Sequence, residues 1–148
     1  MTRFMSDRLK RQQSAHKYAY RQRAAARVKS RWSESGEVCE GCGLPSSVVE
    51  VSHRFGKGGH LLRDLGDGIA SSPLLSMALC CKRTPERDGI GCHELVDENR
   101  DIPLRDRLRW EALDRYCDGH RLARIDRMAF DPVGGARELE RMVREAAA

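Results

Sequence analysis

Cysteines at metal-ligand spacing are the most informative residues of this sequence. Cys39 and Cys42 form a C-x-x-C pair that is followed by a glycine. This is the pattern of a zinc knuckle, in which two thiolates bind one tetrahedral ion while N–H groups of the turn donate to sulfur. Cys92 and either Cys80 or Cys81 can close such a site. We favour Cys80, and we expect one structural Zn²⁺.

A redox pair of thioredoxin type is the alternative interpretation of the C-x-x-C motif. That use requires the motif at a strand-to-helix junction of a βαβ unit, and no such pattern follows Cys42. A small loop-rich unit gains much of its folding free energy from a bound ion, so we expect chelation to unfold it. A separate C-x-x-H pair, Cys117 and His120, is interpreted as a core thiol and a surface histidine.

Two histidines fall where a strand ends and where a helix begins. Apolar alternation and β-branched residues over 48–51 predict a strand that carries His53 at its end, beside a glycine-rich basic loop. Residues 77–79 predict a second strand, and 91–97 the start of a helix with His93 in its first turn. Strand, loop, strand and helix, joined by four cysteines, predict an α+β fold with a zinc-stabilised ββα-metal core.

This ordered combination resembles the HNH endonuclease family, especially the short HNH proteins encoded by bacteriophages of actinobacteria. The resemblance covers about 39–100, through C-x-x-C, V-E-V-S-H-R, G-K-G-G, A-L-C and G-C-H. It implies hydrolysis of DNA phosphodiesters with one divalent ion, Mg²⁺ or another. His53 would be the general base and His93 a ligand of that ion. Arg54 and Lys57 fit phosphate contacts, and equally fit solvent-exposed positions.

Two positions depart from the pattern of the family. The residue before the base is usually a metal-binding His or Asp, and here it is Ser52. The expected Asn before the second strand is replaced by Leu75 or Ser76, depending on which cysteine anchors the alignment. The catalytic ion would then need a donor besides the helix histidine, and Asp97 lies four residues further on the same helix face. The weaker candidates are Asp64 and Asp67.

Positive charge is concentrated at the N-terminus. The 148 residues carry a net charge of +5, but residues 1–32 contain ten basic residues and one acid, so the remainder is negative. A block of basic charge binds phosphate backbones because it releases counterions. The alternative is a solvated helix that aids solubility. We expect contact with DNA, without excluding RNA, through Arg21, Arg23 and Arg27.

The chain divides into a basic N-terminal helix or arm, a zinc-bound core and a helical C-terminal extension, which cover residues 1–35, 36–102 and 103–148. Helix-forming residues without Gly or Pro predict one helix over 6–32. In the extension, we predict a helix after Pro103, a second amphipathic helix over 121–130, and a break formed by Asp131-Pro132 with Gly134-Gly135, before a last helix from about Ala136.

The expected location is the cytoplasm, that of a bacterial host cell if the protein is phage-encoded. The N-terminus lacks the apolar segment of a secretion signal, and no apolar run approaches the roughly 20 residues of a membrane span. We expect no membrane partner, and a homodimer is possible because cutting two strands needs two sites.

The alternatives to an endonuclease are a zinc module that binds DNA or RNA without cleavage, and a structural or packaging accessory acting through its C-terminal helices.

Overall fold

The computed structural model describes residues 3–55, 69, 72–81 and 89–147, with side chains in the first part of the N-terminal helix described only at residues 8 and 11. Its elements are, in chain order, α1 (Arg3–Glu34), β1 (Val49–His53), β2 (Ser76–Cys80), α2 (Cys92–Asp97), α3 (Ile102–Gly119) and α4 (Pro132–Ala147). The protein therefore combines helices with one small antiparallel sheet, which confirms the predicted α+β class.

Helix α1 is the predicted basic helix, slightly longer at both ends. Its 32 residues contain no Gly or Pro, so nothing interrupts the hydrogen-bond ladder. Ala24 and Val28 are buried against the rest of the molecule, whereas Arg8 and Arg11 are exposed. The helix is followed by Gly36 with a φ of 89°, a left-handed conformation that glycine adopts without steric cost. The C-terminal part of α1 therefore packs on the protein.

The sheet is a pair of antiparallel strands in which His53 of β1 lies opposite Ser76 of β2. All five residues of β2 are buried, because α1 and α2 both contact this strand. Side chains alternate between the two faces of a strand. Glu50 and Ser52 therefore lie on one face of β1, and His53 lies on the other. The predicted strands, and the helix that carries His93 in its first turn, are confirmed.

The predicted helix over 121–130 is wrong. Arg121 has a φ of 55°, which ends α3, and the chain continues as a loop. Ile125 buries its side chain in the core, and Arg127 pairs with Asp114 of α3 at 2.6 Å. The apolar and charged residues of this segment therefore hold a loop against α3 rather than forming an amphipathic helix.

The predicted break is confirmed at Asp131, but its extension over Gly134 and Gly135 is wrong, because both glycines lie in the first turn of α4. Asp131 caps this helix, since its carboxylate accepts the N–H of Gly134 at 2.6 Å, and a proline opens it. A Cβ on Gly135 would lie 3.0 Å from the Trp110 ring. The second glycine thus allows α4 to approach α3 closely, rather than ending the helix.

One apolar core joins the sheet to the three C-terminal helices. It includes Met77 and Leu79 of β2, Val96 of α2, and Leu108 and Leu113 of α3, all nearly inaccessible to solvent. Helix α3 begins where the sequence predicts, with the Asp101 carboxylate accepting the N–H of Leu104. None of the helices in the described part of the chain combines the length and apolar composition of a transmembrane segment.

Gly91 is the glycine whose replacement we expect to damage this fold. Its φ of −86° suits any residue, but a Cβ there would lie 2.2 Å from the backbone oxygen of Cys80. Gly91→Ala should therefore lower the free energy of unfolding by at least about 3 kcal/mol and the melting temperature by roughly 6–12 °C. Thermal unfolding followed by circular dichroism measures both.

Gly134→Ala is the matched control. Its Cβ would meet only side-chain atoms of Asp131 and Phe130, and alanine favours a helix over glycine by about 0.5–1 kcal/mol. We expect its melting temperature to stay within about 2 °C of the wild type. Equal losses in the two variants would contradict the steric argument for Gly91.

Candidate metal centre

The sulfur atoms of four cysteines lie within 4.8 Å of one another: Cys39, Cys42, Cys80 and Cys92. A tetrahedral zinc ion with bonds of about 2.3 Å separates its sulfur ligands by ~3.8 Å, so this donor set fits zinc. Cys80 belongs to the group, and the neighbouring Cys81 instead directs its thiol to the backbone oxygen of Leu79 at 3.8 Å. No other group of three or more such ligands lies this close together in the described part of the chain.

Three separate segments bring these cysteines together. Cys39 and Cys42 lie in a turn between α1 and β1, which is closed by a bridge between Val38 and Pro45. The N–H of Gly43 donates to the backbone oxygen of Cys39 at 2.9 Å, which fixes the turn. The third cysteine ends β2, and the fourth begins α2. The cluster therefore fastens the turn, the sheet and the helix at one point.

Backbone N–H groups point at two of the sulfur atoms. The N–H groups of Gly41 and Cys80 both donate to Sγ of Cys39 at 3.3 Å, and the N–H of Cys92 donates to Sγ of Cys80 at 3.3 Å. Such donors stabilise negative charge on sulfur, and they surround metal-bound thiolates in zinc knuckles. The turn is therefore prepared for thiolate ligands, which supports metal binding by a second observation.

The pKa values of three of the four thiols are shifted in different directions. The pKa of Cys39 is lowered to about 5, because the thiol of Cys92 and backbone N–H groups donate to its sulfur. The same hydrogen bond, together with burial, raises the pKa of Cys92, and burial raises the pKa of Cys80. Several thiolates cannot share this buried space without compensation. A divalent cation bound by the four sulfur atoms would supply that compensation.

Glu40, inside the C-x-x-C motif, connects the cluster to two helices. Arg31 of α1 donates to both oxygens of this carboxylate, at 2.7 and 3.1 Å, and Arg115 of α3 donates to it at 3.3 Å. Arg31 also donates to the backbone oxygen of Ser76 at 2.7 Å. The last basic residue of α1 therefore holds the helix against the turn and the sheet.

His53 lies at the end of β1, half-buried, as the sequence predicts. Its Nδ1 is 2.9 Å from the hydroxyl of Ser76, and that hydroxyl donates to the backbone oxygen of Ser72 at 3.0 Å. With Nδ1 protonated, the hydroxyl of Ser76 accepts from His53 and donates to the backbone oxygen of Ser72, so every group in the chain is paired. This three-residue chain, named here the His53 chain, fixes the orientation of the imidazole.

His93 and Asp97 meet on the exposed side of α2. Nε2 of His93 is 3.0 Å from Oδ2 of Asp97, and Nδ1 is 3.5 Å from a carboxylate oxygen of Glu50 on β1. The His93 side chain keeps 19% of its surface exposed and that of Asp97 keeps 39%. The helix spacing therefore brings together the two residues predicted to bind a catalytic ion, with a second carboxylate nearby.

Arg54, predicted to contact phosphate, lies inside the protein. Its side chain is only 4% exposed, and Nη2 donates to Oδ1 of Asp97 at 3.2 Å and to the hydroxyl of Ser52. Burial lowers the pKa of Arg54 to about 10, while Asp97 acts in the opposite direction. The guanidinium is thus directed at Asp97 and Ser52 rather than at solvent.

The remaining predicted contacts are distributed along α1 or fall outside the described residues. Arg21, Arg23 and Arg27 are exposed on α1, and two of them, Arg23 and Arg27, face the segment before β2. Lys57, together with Asp64 and Asp67, lies outside the described part of the chain. Their roles stay predictions, as do the boundaries of the three proposed parts.

Sequence reasoning did not identify the contacts of three residues at the candidate site: Glu40, Glu50 and Ser72. Each acts through an element distant along the chain, so no local pattern marks it. Ser76 was noted only as a replacement for the expected asparagine. The antiparallel register sets it opposite His53, and this could have been found by pairing the two predicted strands.

The fold and the site define a small α+β protein with a four-cysteine cluster that could hold a metal ion. Comparison of the chain with protein-family models, with curated proteins and with solved structures finds no match. A function can therefore be inferred only from the residues of this chain and their geometry.

The cluster makes a specific prediction about metal content. The purified protein should contain one zinc per chain by elemental analysis, and Cys39→Ser or Cys92→Ser should lose it. Chelation should abolish the cooperative thermal transition, because the ion contributes folding free energy. Cys81→Ser is the matched control and should keep a full equivalent of zinc. Loss of zinc in Cys81→Ser, with retention in Cys80→Ser, would show that the adjacent cysteine is the ligand.

Proposed function

We propose that this protein is an HNH-type endonuclease that hydrolyses DNA phosphodiester bonds with one divalent catalytic ion. The cysteine cluster is the structural zinc site in this proposal, and β1, β2 and α2 form a ββα-metal unit around it. The observation that carries the proposal is the His53 chain. This chain links the half-buried imidazole through the hydroxyl of Ser76, which is 0% exposed, to the backbone oxygen of Ser72.

The His53 chain gives the imidazole the form that a general base requires. In the tautomer with Nδ1 protonated and donating to Ser76, Nε2 is the ring nitrogen that can accept a proton. That nitrogen takes a proton from a water molecule as the water oxygen attacks phosphorus. The new P–O bond forms while the bond to the leaving ester oxygen breaks. Ser76 acts through His53 and is a positioning residue.

His93 and Asp97 would hold the catalytic ion. Two ligands bound at about 2.1 Å on adjacent corners of an octahedron lie ~3.0 Å apart, which agrees with the separation of Nε2 and Oδ2. Water molecules can complete the coordination, since the Asp97 side chain is 39% exposed, whereas Glu50 lies against the other ring nitrogen of His93. When bound, such an ion stabilises the charge that develops on the phosphate and on the leaving oxygen.

DNA contact by α1 supplies affinity in this proposal. The exposed arginines of α1 carry positive charge away from the cluster, along a helix that is fastened to the sheet by Arg31. Contacts of this kind are independent of sequence and weaken steeply with salt. The unit that cuts and the helix that binds are therefore held in a fixed relation.

A second candidate function, a zinc module that binds DNA or RNA without cutting it, is favoured by Arg54. Its buried guanidinium contacts Asp97 and the Ser52 position, where the family has another metal ligand. A fixed cation beside Asp97 opposes the binding of a divalent ion by charge repulsion. In this candidate the arginine replaces the catalytic metal as the partner of Asp97, and the hydrolytic site is inactive.

Plasmid nicking separates the two candidates. Supercoiled DNA is incubated with zinc-loaded protein, with and without Mg²⁺ or Mn²⁺. The endonuclease proposal expects nicking that depends on the added ion and falls about 10²- to 10⁴-fold in His53→Ala. Salt-sensitive DNA binding without nicking under any ion would overturn the proposal in favour of the zinc module.

Ser76→Ala tests the His53 chain. The variant keeps the imidazole but loses its hydrogen-bond partner, so the nicking rate should fall about 10- to 100-fold with unchanged zinc content. Ser46→Ala is the matched control, because Ser46 also donates from its hydroxyl to a backbone oxygen, that of Val48, but lies away from the histidine. Equal rates for Ser76→Ala and the wild type would contradict the role of the chain.

A further inference from the structure

An open cleft of about 450 Å³ lies between α1, the segment before β2 and the C-terminal end of α3. Its walls include Tyr20, Arg27, Leu74, Tyr116 and His120. A smaller hollow of about 150 Å³ continues it along α1 towards Arg23, and shares Arg27 and Pro73 with it. The larger volume falls within the ~300–1,000 Å³ of small-molecule sites. The residues of the proposed hydrolytic site that would touch the phosphate or the ion, His53, His93 and Asp97, do not line this cleft.

The two sides of the cleft have different chemistry. The α1 side presents the guanidinium groups of Arg23 and Arg27, one helical turn apart and both exposed. The α3 side presents two rings, Tyr116 and His120, whose centroids are 4.3 Å apart with planes tilted by 35°. Tyr116 is buried, and His120 is exposed above it. Cationic groups facing stacked rings match a phosphate joined to a flat heterocycle.

The close approach of the cleft walls depends on Gly119. A Cβ at this position would lie 2.7 Å from a methyl carbon of Leu74. The absence of a side chain at the end of α3 therefore allows the segment before β2 to pack beside His120. The cleft is formed by fixed packing contacts between α3 and this segment.

We propose that this cleft binds one unstacked nucleotide of a single-stranded segment of nucleic acid. The phosphate lies against Arg23 and Arg27, and the base stacks on the exposed ring of His120, which lies above Tyr116. Base–aromatic stacking tolerates any base because every base has a π face, so the cleft selects unpaired strands rather than a sequence. The inference rests on the proposed function in that the bound strand belongs to the nucleic acid contacted by α1.

The cleft shares a residue with the His53 chain. Ser72 lines it, and the backbone oxygen of Ser72 accepts the hydroxyl of Ser76, which positions His53. A nucleotide held in the cleft therefore lies beside the segment that supports the proposed base. The structure assigns to the cleft the selection of DNA with an unpaired nucleotide next to the bond to be cut, for example at a flap, bulge or junction.

Binding of a short oligonucleotide with one central 2-aminopurine tests the cleft. The full-length, zinc-loaded protein is titrated into the single strand and into the same strand in a duplex. Fluorescence anisotropy gives Kd, and quenching of 2-aminopurine reports stacking. We expect the single strand to bind about tenfold more tightly than the duplex, with quenching only in the single strand. Equal affinities without quenching would overturn the proposal.

Two pairs of variants give the test its controls. Arg27→Ala should weaken single-strand binding about tenfold, whereas Arg21→Ala, which removes the same charge from α1 outside the cleft, should cost less than about threefold. His120→Ala should remove the quenching, and His120→Tyr should restore it because an aromatic face returns. Equal losses for the two arginines, or quenching that persists in His120→Ala, would mean that the strand binds elsewhere on α1.

The same measurements distinguish this inference from the proposed function. His53→Ala should bind the oligonucleotide like the wild type, because His53 is not part of the cleft. Strand binding with quenching, but without nicking, retains the cleft and removes the nuclease. Nicking that is equally fast on paired and flapped DNA, and unaffected by His120→Ala, retains the nuclease and removes the cleft.

Discussion

Four sulfur atoms gathered within 4.8 Å join three separate segments of the chain at one point. The turn after α1 contributes two of them, and the end of β2 and the start of α2 contribute one each. A two-stranded sheet is at best marginally stable by itself, and the helix beside it has only six residues. The positions of His53 on the sheet and His93 on the helix therefore depend on the cluster.

The basic helix depends on the same cluster through one carboxylate. Glu40 lies between the two cysteines of the turn, and only 14% of its side chain is exposed. The contact between this largely enclosed carboxylate and its two arginines stabilises the fold. Removal of one partner would leave a poorly solvated charge, which lowers the free energy of unfolding. Arg31 and Arg115 come from α1 and α3, so an ion that orders the turn also orders the contact between these helices.

The elements predicted correctly are those with local signals. Alternating β-branched residues mark β1, and the absence of Gly and Pro marks α1. The cysteine spacing identifies the cluster. Contacts that depend on register or on distant elements could not be predicted in this way. A basic residue after a strand normally lies at the surface, so the burial of Arg54 follows only once Asp97 is known to lie beside it. Likewise, Gly135 suggests a helix break until Trp110 is known to pack against it.

Helix α1 is long, and the residues that bury it against the protein lie towards its C-terminal end. The molecule is therefore asymmetric along the axis of this helix. Its 32 residues span about 48 Å, and its buried residues Ala24 and Val28 lie towards its C-terminal end. About 25 Å of helix therefore precede Tyr20, a length equal to roughly seven base pairs of B-form DNA at 3.4 Å each. On a duplex that follows this helix, the footprint extends much further to one side of His53 than to the other. If α1 contacts DNA as proposed, such a footprint would distinguish the two directions along the duplex without any base being read.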